Sequence, residues 1–355
     1  LGKPRILIAS SNICYQGCVL LGTGFILDTK EAETLFLKNS NNRMVIHPYL
    51  TGKTLNEQPG AVPTQFAINF RDWPLSQESA PDGYSGPFAD DFPDCLEIVR
   101  ERVKPVRDRD NRKVRREKWW QFAERATGLY EAIGNSTRAM AIAKQATKYV
   151  SFEFVDSSIV FSHALAIVAS NSFAMLAVLN STFHDIWSRE FCSFNLLLMR
   201  YSPSDLFSTF PFPTVDINLA GIGERYYERR QSIMQTRQEG LTATYNRFHN
   251  QQEQSPDIVQ LRRLHVEMDR AVAAAYGWTE LDLGHGFYET KQGVRFTINE
   301  PARRAALDRL LALNHERYEE EVKAGLHEKK AGKGSAKGRK KTLSADESQY
   351  EIFEE

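Results

Sequence analysis

No Pro-Pro dipeptide occurs in the 355 residues, cysteine appears four times, and no apolar run is long enough for a membrane helix. Each absence excludes something. A membrane helix needs about 20 consecutive apolar residues; the nearest candidate, Ile159 to Val178, is interrupted by His163, Ser170, Asn171 and Ser172. That segment reads instead as a buried strand followed by a buried helix. Cys14, Cys18, Cys95 and Cys192 are scattered. Cys14 and Cys18 lie four apart but have no second pair to complete a zinc site, so all four are expected to be reduced cytosolic thiols. No charged segment with a cleavage site opens the chain, which excludes a signal peptide. Leu1 stands where a methionine would, with Ile6, Leu7 and Ile8 close behind. The start is therefore read as a cut made inside a longer polypeptide.

What is present is ordinary for a soluble globular protein: 42% hydrophobic and 25% charged residues. The length suits one large domain or two smaller ones. Net charge is zero, with 45 basic and 45 acidic residues, which speaks against a uniformly basic nucleic-acid binder. The distribution is uneven. From Arg100 to Lys118 ten Lys/Arg face four acids; from Lys323 to Lys341 eight face one. The last eleven residues then carry five acids.

Along the chain, Arg5 to Ala9 reads as a strand, Phe25 to Leu27 as another, and Lys30 to Asn39 as a helix with Ala32, Leu35 and Phe36 inward. Strands follow at Val45–Leu50 and Phe66–Phe70. Residues 76–94, rich in Pro, Gly, Ser and Asp, read as a surface loop. Cys95–Lys104 is expected to be a helix ended by Pro105, and a further helix runs from Trp119 to about Ile133. Strands are expected at Tyr149–Val155 and Ile159–Val168, then one amphipathic helix from Phe173 to Trp187 with apolar spacings of three and four. A strand at Leu196–Met199 leads to Phe210-Pro211-Phe212-Pro213, a rigid exit. Helices follow at Ile222–Glu239, Asp257–Tyr276 and Pro301–Val322, the last with proline at its start. From Lys329 the composition reads as disordered.

A catalytic centre is not legible. An amino-methyltransferase needs a glycine-rich strand–helix turn and an Asn/Asp-Pro-Pro-aromatic loop for the extruded base. Gly22-Thr23-Gly24 is too short for the first, and the second has no match. Asp94 and Glu97 lack the lysine of a nuclease cluster. His163, His184, His249 and His265 form no metal-spaced pair, and no Gly-x-Ser-x-Gly elbow occurs.

Several ordered segments nevertheless resemble one family. They are Ile68-Asn69-Phe70-Arg71-Asp72-Trp73-Pro74; Trp119-Trp120-Gln121-Phe122 with Arg125 and Tyr130; and Val178 to Trp187 with His184. After them come Thr209-Phe210-Pro211-Phe212-Pro213; Gly240-Leu241-Thr242 with Tyr245 to His249; and Leu264-His265 with Met268 to Val272 and Ala275 to Trp278. The last is Leu310 to Asn314. Across residues 1–320 the chain resembles the C-terminal target-recognition region of fused type II restriction–modification proteins, N6-adenine DNA methyltransferases of type IIG/IIL kind. The family's catalytic residues have no counterparts here. The resemblance implies an α+β fold: a mixed α/β target-recognition domain over 1–215, a helical segment over 216–325, and a charged tail over 326–355. It implies double-stranded DNA as partner and an N-terminal methyltransferase domain of the same parent chain that binds S-adenosylmethionine. This fragment is expected to bind no cofactor or metal, to touch no membrane and to reside in the cytoplasm. The parent is expected to methylate adenine, with or without cutting DNA.

A recognition domain holds phosphates with Lys/Arg and aims a few side chains at base edges. The candidate DNA-facing residues are Arg107, Arg109, Arg112, Lys113, Arg115, Arg116 and Lys118, then Arg138, Lys144 and Lys148. The aromatics Trp73, Trp119, Trp120, Phe183, Trp187, Phe210 and Phe212 are expected to be packing residues. The helices after residue 222 are expected to space the reading head from the catalytic domain. The alternative is a helical interaction scaffold that docks a subunit of a restriction or defence complex.

Overall fold

The computed structural model describes residues 2–145, 148–195, 198–214 and 216–327. The lysine-rich tail from Lys329 lies outside the described residues. The strands, in chain order, are β1 (Cys14–Gln16), β2 (Ile26–Asp28), β3 (Ile46–Leu50), β4 (Gln65–Ile68), β5 (Arg138–Ala143), β6 (Glu153–Asp156), β7 (Val160–Phe161), β8 (Leu165–Val168), β9 (Ser193–Asn195), β10 (Leu198–Arg200), β11 (Gly286–Thr290) and β12 (Gly293–Thr297). The helices are α1 (Thr29–Lys38), α2 (Gly52–Glu57), α3 (Pro93–Arg102), α4 (Lys104–Arg107), α5 (Lys113–Glu117), α6 (Thr127–Ile133), α7 (Phe173–Asn180), α8 (Thr182–Phe191), α9 (Ile217–Arg237), α10 (Leu241–Phe248), α11 (Pro256–Ala275) and α12 (Glu300–Lys323). The class is α+β, as expected. Among the described residues no helix is long and apolar enough to cross a membrane.

The chain divides into two compact units that do not follow sequence order. One combines residues up to Gly17, Leu50–Pro63 and Ala126–Ala324; the other combines Cys18–Tyr49 and Thr64–Arg125. Residues 216–324 therefore share a unit with residues 126–214, across the boundary drawn near residue 215 from the sequence.

The first unit is built on an antiparallel sheet of order β1-β8-β5-β6. Met140 pairs with Val168 and Ile142 with Ala166 across β5 and β8. The sheet is covered on both faces. Ala139, Ala141, Val155, Leu165 and Ile167 enter one apolar cluster; Met140, Ile142, Phe154, Ala166 and Val168 enter another. Residues of opposite parity thus serve opposite cores, so the strands read as unbroken apolar runs. The short α7 sits between the same two clusters, giving Ala174, Ala177 and Val178 to one and Leu176 and Leu179 to the other.

The single helix expected over Phe173–Trp187 is two. Ser181 ends α7 in extended backbone (φ −73°, ψ 159°) and caps α8, its hydroxyl accepting from the His184 N–H. The helices beyond residue 216 share the core of the central sheet. Leu219, Ile222, Tyr226 and Ile233 of α9 and Leu261, Met268 and Val272 of α11 enter the same cluster as α7 and the sheet. This segment is not wholly helical, because β11 and β12 form a hairpin with Gly286 opposite Thr297.

Close approach of α9 to α7 depends on Gly223. A Cβ there would lie 2.1 Å from the Phe173 carbonyl oxygen and 3.2 Å from the Ala177 Cβ. The obstacle is backbone, which cannot rotate away. Gly223→Ala is therefore expected to cost about 3 kcal/mol, the upper range for overpacking, read as a lowered urea midpoint. A midpoint equal to the parent's would show that the two helices separate without penalty.

The strand expected at Arg5–Ala9 is absent; β1 begins at Cys14. The N-terminal backbone is bonded instead to side chains of α12. Asn314 accepts from the Arg5 N–H and donates to the Arg5 carbonyl, both at 2.8 Å. Glu321 accepts from the Ile8 and Ala9 N–H groups at 2.8 and 3.0 Å.

In the second unit β4 pairs antiparallel with both β2 and β3. Helix α1 starts in a capping box: the Asp28 carboxylate accepts from the Glu31 N–H, and Glu31 reciprocates. As expected, Ala32 and Leu35 are buried. The matched aromatics serve as packing: Trp119, Trp120, Phe183, Trp187 and Phe210 are buried, and Trp73 stacks on Phe92 at 5.7 Å.

Candidate nucleic-acid interface

The densest basic stretch of the sequence lies in the second unit. Pro105 does not end a helix there; it occupies the first turn of α4, where its missing N–H has no partner to lose. The helix expected from Trp119 to Ile133 is also broken. Ala126 takes a left-handed conformation (φ 51°), and helix resumes only at Thr127. Between these points the chain is pinned by side chains. Trp120 Nε1 and Gln121 Nε2 both donate to the Trp73 carbonyl, at 3.0 and 2.9 Å.

Arg107 is a further pin, which removes it from the DNA-facing set. It is 1% exposed. Its guanidinium donates to the carbonyls of Leu20 at 2.7 Å, Leu21 at 3.1 Å and Gln121 at 3.3 Å. Burial, together with nearby Arg115, pulls its pKa down to about 10, so it stays charged at neutral pH. A charge count cannot separate such an arginine from a solvated one. Five donors in a planar fork suit a cluster of carbonyls as well as they suit a phosphate.

The other six candidates of this group differ in access. Arg109, Arg112, Lys113 and Lys118 are exposed. Lys113 stands 3.4 Å from Glu117, an exposed pair one turn apart that holds it only weakly. Arg115 turns inward to Asp110 at 3.3 Å, with 12% of its side chain exposed. Arg116 donates to the Asp110 carbonyl at 2.6 Å. The cationic surface is thus carried by Arg109, Arg112, Lys113 and Lys118.

Arg138, Lys144 and Lys148 belong to the first unit. Arg138 is half-buried. Its guanidinium lies over Phe154 at 3.9 Å and Phe173 at 4.4 Å and donates to the Asn171 carbonyl. Lys144 Nζ donates to Gln16. Lys148 is exposed, donates to Asn246 Oδ1 at 2.7 Å and lies 5.2 Å from the Tyr149 ring centroid.

Two buried polar clusters of the first unit were not anticipated. Arg230 donates to the Phe152 carbonyl at 2.7 Å, to Glu153 at 3.1 Å, and to Ser151, Tyr245 and Asn180. The second cluster is centred on Asp269, which is fully buried. It accepts from the Thr182 N–H at 2.8 Å and the Thr182 hydroxyl at 2.6 Å, with His285 Nε2 at 2.8 Å and His265 Nε2 at 3.5 Å. Burial raises the Asp269 pKa, but His265, His285 and Thr182 outweigh it and the net direction is down. The spacing of His265 and Asp269 on one helix was visible; their pairing with Thr182, 87 residues away, was not. Among the described residues no group of three or more His, Cys, Asp or Glu has the arrangement of a metal site.

Residues 91–214 match the family model of the MmeI target recognition domain. The matched stretch includes the basic segment, strands β5, β6 and β8 of the central sheet, and α7–α8. No curated protein sequence matches the chain. Among solved structures it is similar to the type IIL restriction–modification enzyme MmeI in complex with DNA, with a TM-score of 0.59 and 14% identity. That likeness covers 90% of this chain and 37% of MmeI, so the chain spans little more than a third of that enzyme. Over residues 91–214 the chain is thus similar to the target recognition domain of MmeI, and its fold is like that of the type IIL enzyme.

Proposed function

We propose that this chain is the DNA-reading part of a site-specific restriction–modification enzyme that methylates adenine at N6, with the methyl-transfer chemistry in a domain outside this chain. The match of residues 91–214 to a target-recognition domain carries this reading. The exposed Arg109, Arg112, Lys113 and Lys118 fit it, as phosphate contacts that set the position of the duplex. S-adenosylmethionine would be held by the catalytic domain, where it supplies the methyl group. A modifying enzyme must both extrude its target base and know which site it occupies, and the second task is the one assigned here.

The test is retention of duplex DNA by the 355-residue chain across a salt series. Binding that falls steeply with salt is expected, since each neutralised phosphate contributes a slope of about −0.9 in log K against log salt. Replacing Arg109, Arg112, Lys113 and Lys118 together by Ala should flatten that slope by about 3.6 and weaken all sequences alike. A variant with an unaltered slope would remove these four cations from the interface. Failure of the parent chain to bind any duplex at any salt would overturn the DNA reading and favour the scaffold alternative.

A further inference from the structure

Helix α8, the β11–β12 hairpin and helix α12 line a cavity of about 610 Å³ in the first unit. This lies within the size range of small-molecule sites. Its wall carries three mostly buried guanidiniums: side-chain exposure is 13% for Arg189, 9% for Arg295 and 17% for Arg303. Only one mostly buried carboxylate, Asp185 at 21%, accompanies them. Both Asp185 oxygens already accept from Arg189 Nε at 2.9 Å. Arg295 reaches Asp185 only at 3.7 Å; it bonds the neutral acceptor His249 Nε2 at 3.1 Å and lies 5.3 Å from the Tyr149 ring centroid. Arg303 bonds Glu300 at 2.6 Å through Nη2, but that carboxylate is half-exposed and shared with Arg304. The Arg303 Nε is buried without a partner. The other charged groups of the wall, Glu190, Glu289, Lys291 and Arg304, are exposed and screened by water.

An excess of partly desolvated positive charge along one wall is costly unless an anion completes it. Guanidinium forks match the oxygens of a phosphate, and several forks converging on one cavity favour a tetrahedral anion over a single carboxylate. The volume is far larger than one phosphate needs, leaving room for the group it esterifies. We infer that this cavity binds a phosphate ester through Arg189, Arg295 and Arg303. The ester is either a free nucleotide-sized molecule or a nucleotide unit of a DNA strand. The inference does not rest on the DNA reading above, because the free-ester arm of the test stands without it.

The experiment titrates the 355-residue chain with inorganic phosphate and with a deoxynucleoside 5′-monophosphate, against chloride at matched ionic strength. Melting is followed by circular dichroism and binding by calorimetry. Saturable stabilisation by both probes is expected, tighter for the monophosphate. Arg303→Gln should weaken both at least tenfold. Arg303→Lys, which keeps the charge but loses the guanidinium fork, should also weaken them. Arg225→Gln, an exposed charge elsewhere on the same unit, should leave them unchanged. Should Arg303→Gln fail to fold, Arg303→Lys carries the comparison. Stabilisation no greater than in chloride, or equal in the parent and both Arg303 variants, would overturn the site. Repeating the titration with saturating duplex identifies the source. Loss of the phosphate effect points to a strand nucleotide, and persistence points to a free ester; both outcomes require the site.

Discussion

Arg230→Met is expected to destabilise the first unit by about 3–5 kcal/mol, because it strips a buried carboxylate of the buried cation paired with it. Arg230 and Glu153 have side-chain exposures of 0% and 1% and lie 3.1 Å apart. Burial already pushes the Glu153 carboxyl above its ordinary range, with Arg230 as the largest opposing influence. Loss of the guanidinium would also leave the Phe152 carbonyl, Ser151 and Tyr245 without the donor they now share. The measurement is denaturant unfolding of the single variant and of Arg230→Met combined with Glu153→Gln. The pair should recover at least about 1 kcal/mol relative to additivity, since the second change removes the stranded charge. A single variant within about 1 kcal/mol of the parent would mean that the buried pair is replaceable by an apolar side chain of similar length.

Acidification from pH 7 to pH 5 is expected to weaken the first unit through its buried histidines. His184 is completely buried. Its Nε2 meets the Tyr201 hydroxyl at 3.0 Å, its Nδ1 has no partner, and Phe210 packs edge-on at 4.7 Å. Burial lowers its pKa to about 3. The folded state therefore binds fewer protons than the unfolded chain, whose histidines titrate near 6.5. The stability this gives is complete above that value and is lost as pH falls below it. For His184 alone the loss between pH 7 and pH 5 is about 2 kcal/mol. His249, lowered by burial and by the adjacent Arg295, and His265, lowered chiefly by burial, add losses of the same sign. Unfolding midpoints at pH 7, 6 and 5 read the sum. A His184→Gln variant should show a shallower dependence, and an identical slope would exclude His184 as a contributor.

Both predictions depend on residues whose role the sequence hid, though not for the same reason. Arg230 sits four residues after Tyr226 and three before Ile233, in phase with Leu219 and Ile222. The helical period therefore placed it on the buried face; its charge argued for the opposite one. His184 was visible within a motif, but its neighbours are Tyr201, just after β10, and Phe210, which no local pattern connects to α8. The α+β class and the long helices α11 and α12 were legible because apolar spacing and a leading proline marked them. Strand β5 was harder to place. Its alternate residues enter two different cores, so the period of two that betrays a half-buried strand is missing. Hairpin β11–β12 was overlooked although aromatic and β-branched residues flank its turn. For the candidate interface, composition located the basic segment but could not sort it. Arg107 faces carbonyls, Arg115 and Arg116 face Asp110 and its backbone, and only burial distinguishes these from Arg109, Arg112, Lys113 and Lys118.

The clasp between α12 and the N-terminal backbone constrains the order of events during synthesis. Arg5 waits for Asn314, 309 residues downstream, and Ile8 for Glu321, 313 residues downstream. At translation rates of about 5–20 residues per second, that interval is roughly 15–60 seconds. Throughout it the nascent segment around Leu7 has no α12 to bind. Closure of the first unit therefore waits until α12 has been made, and a chaperone acting before then would meet residues 5–9 without their α12 partners.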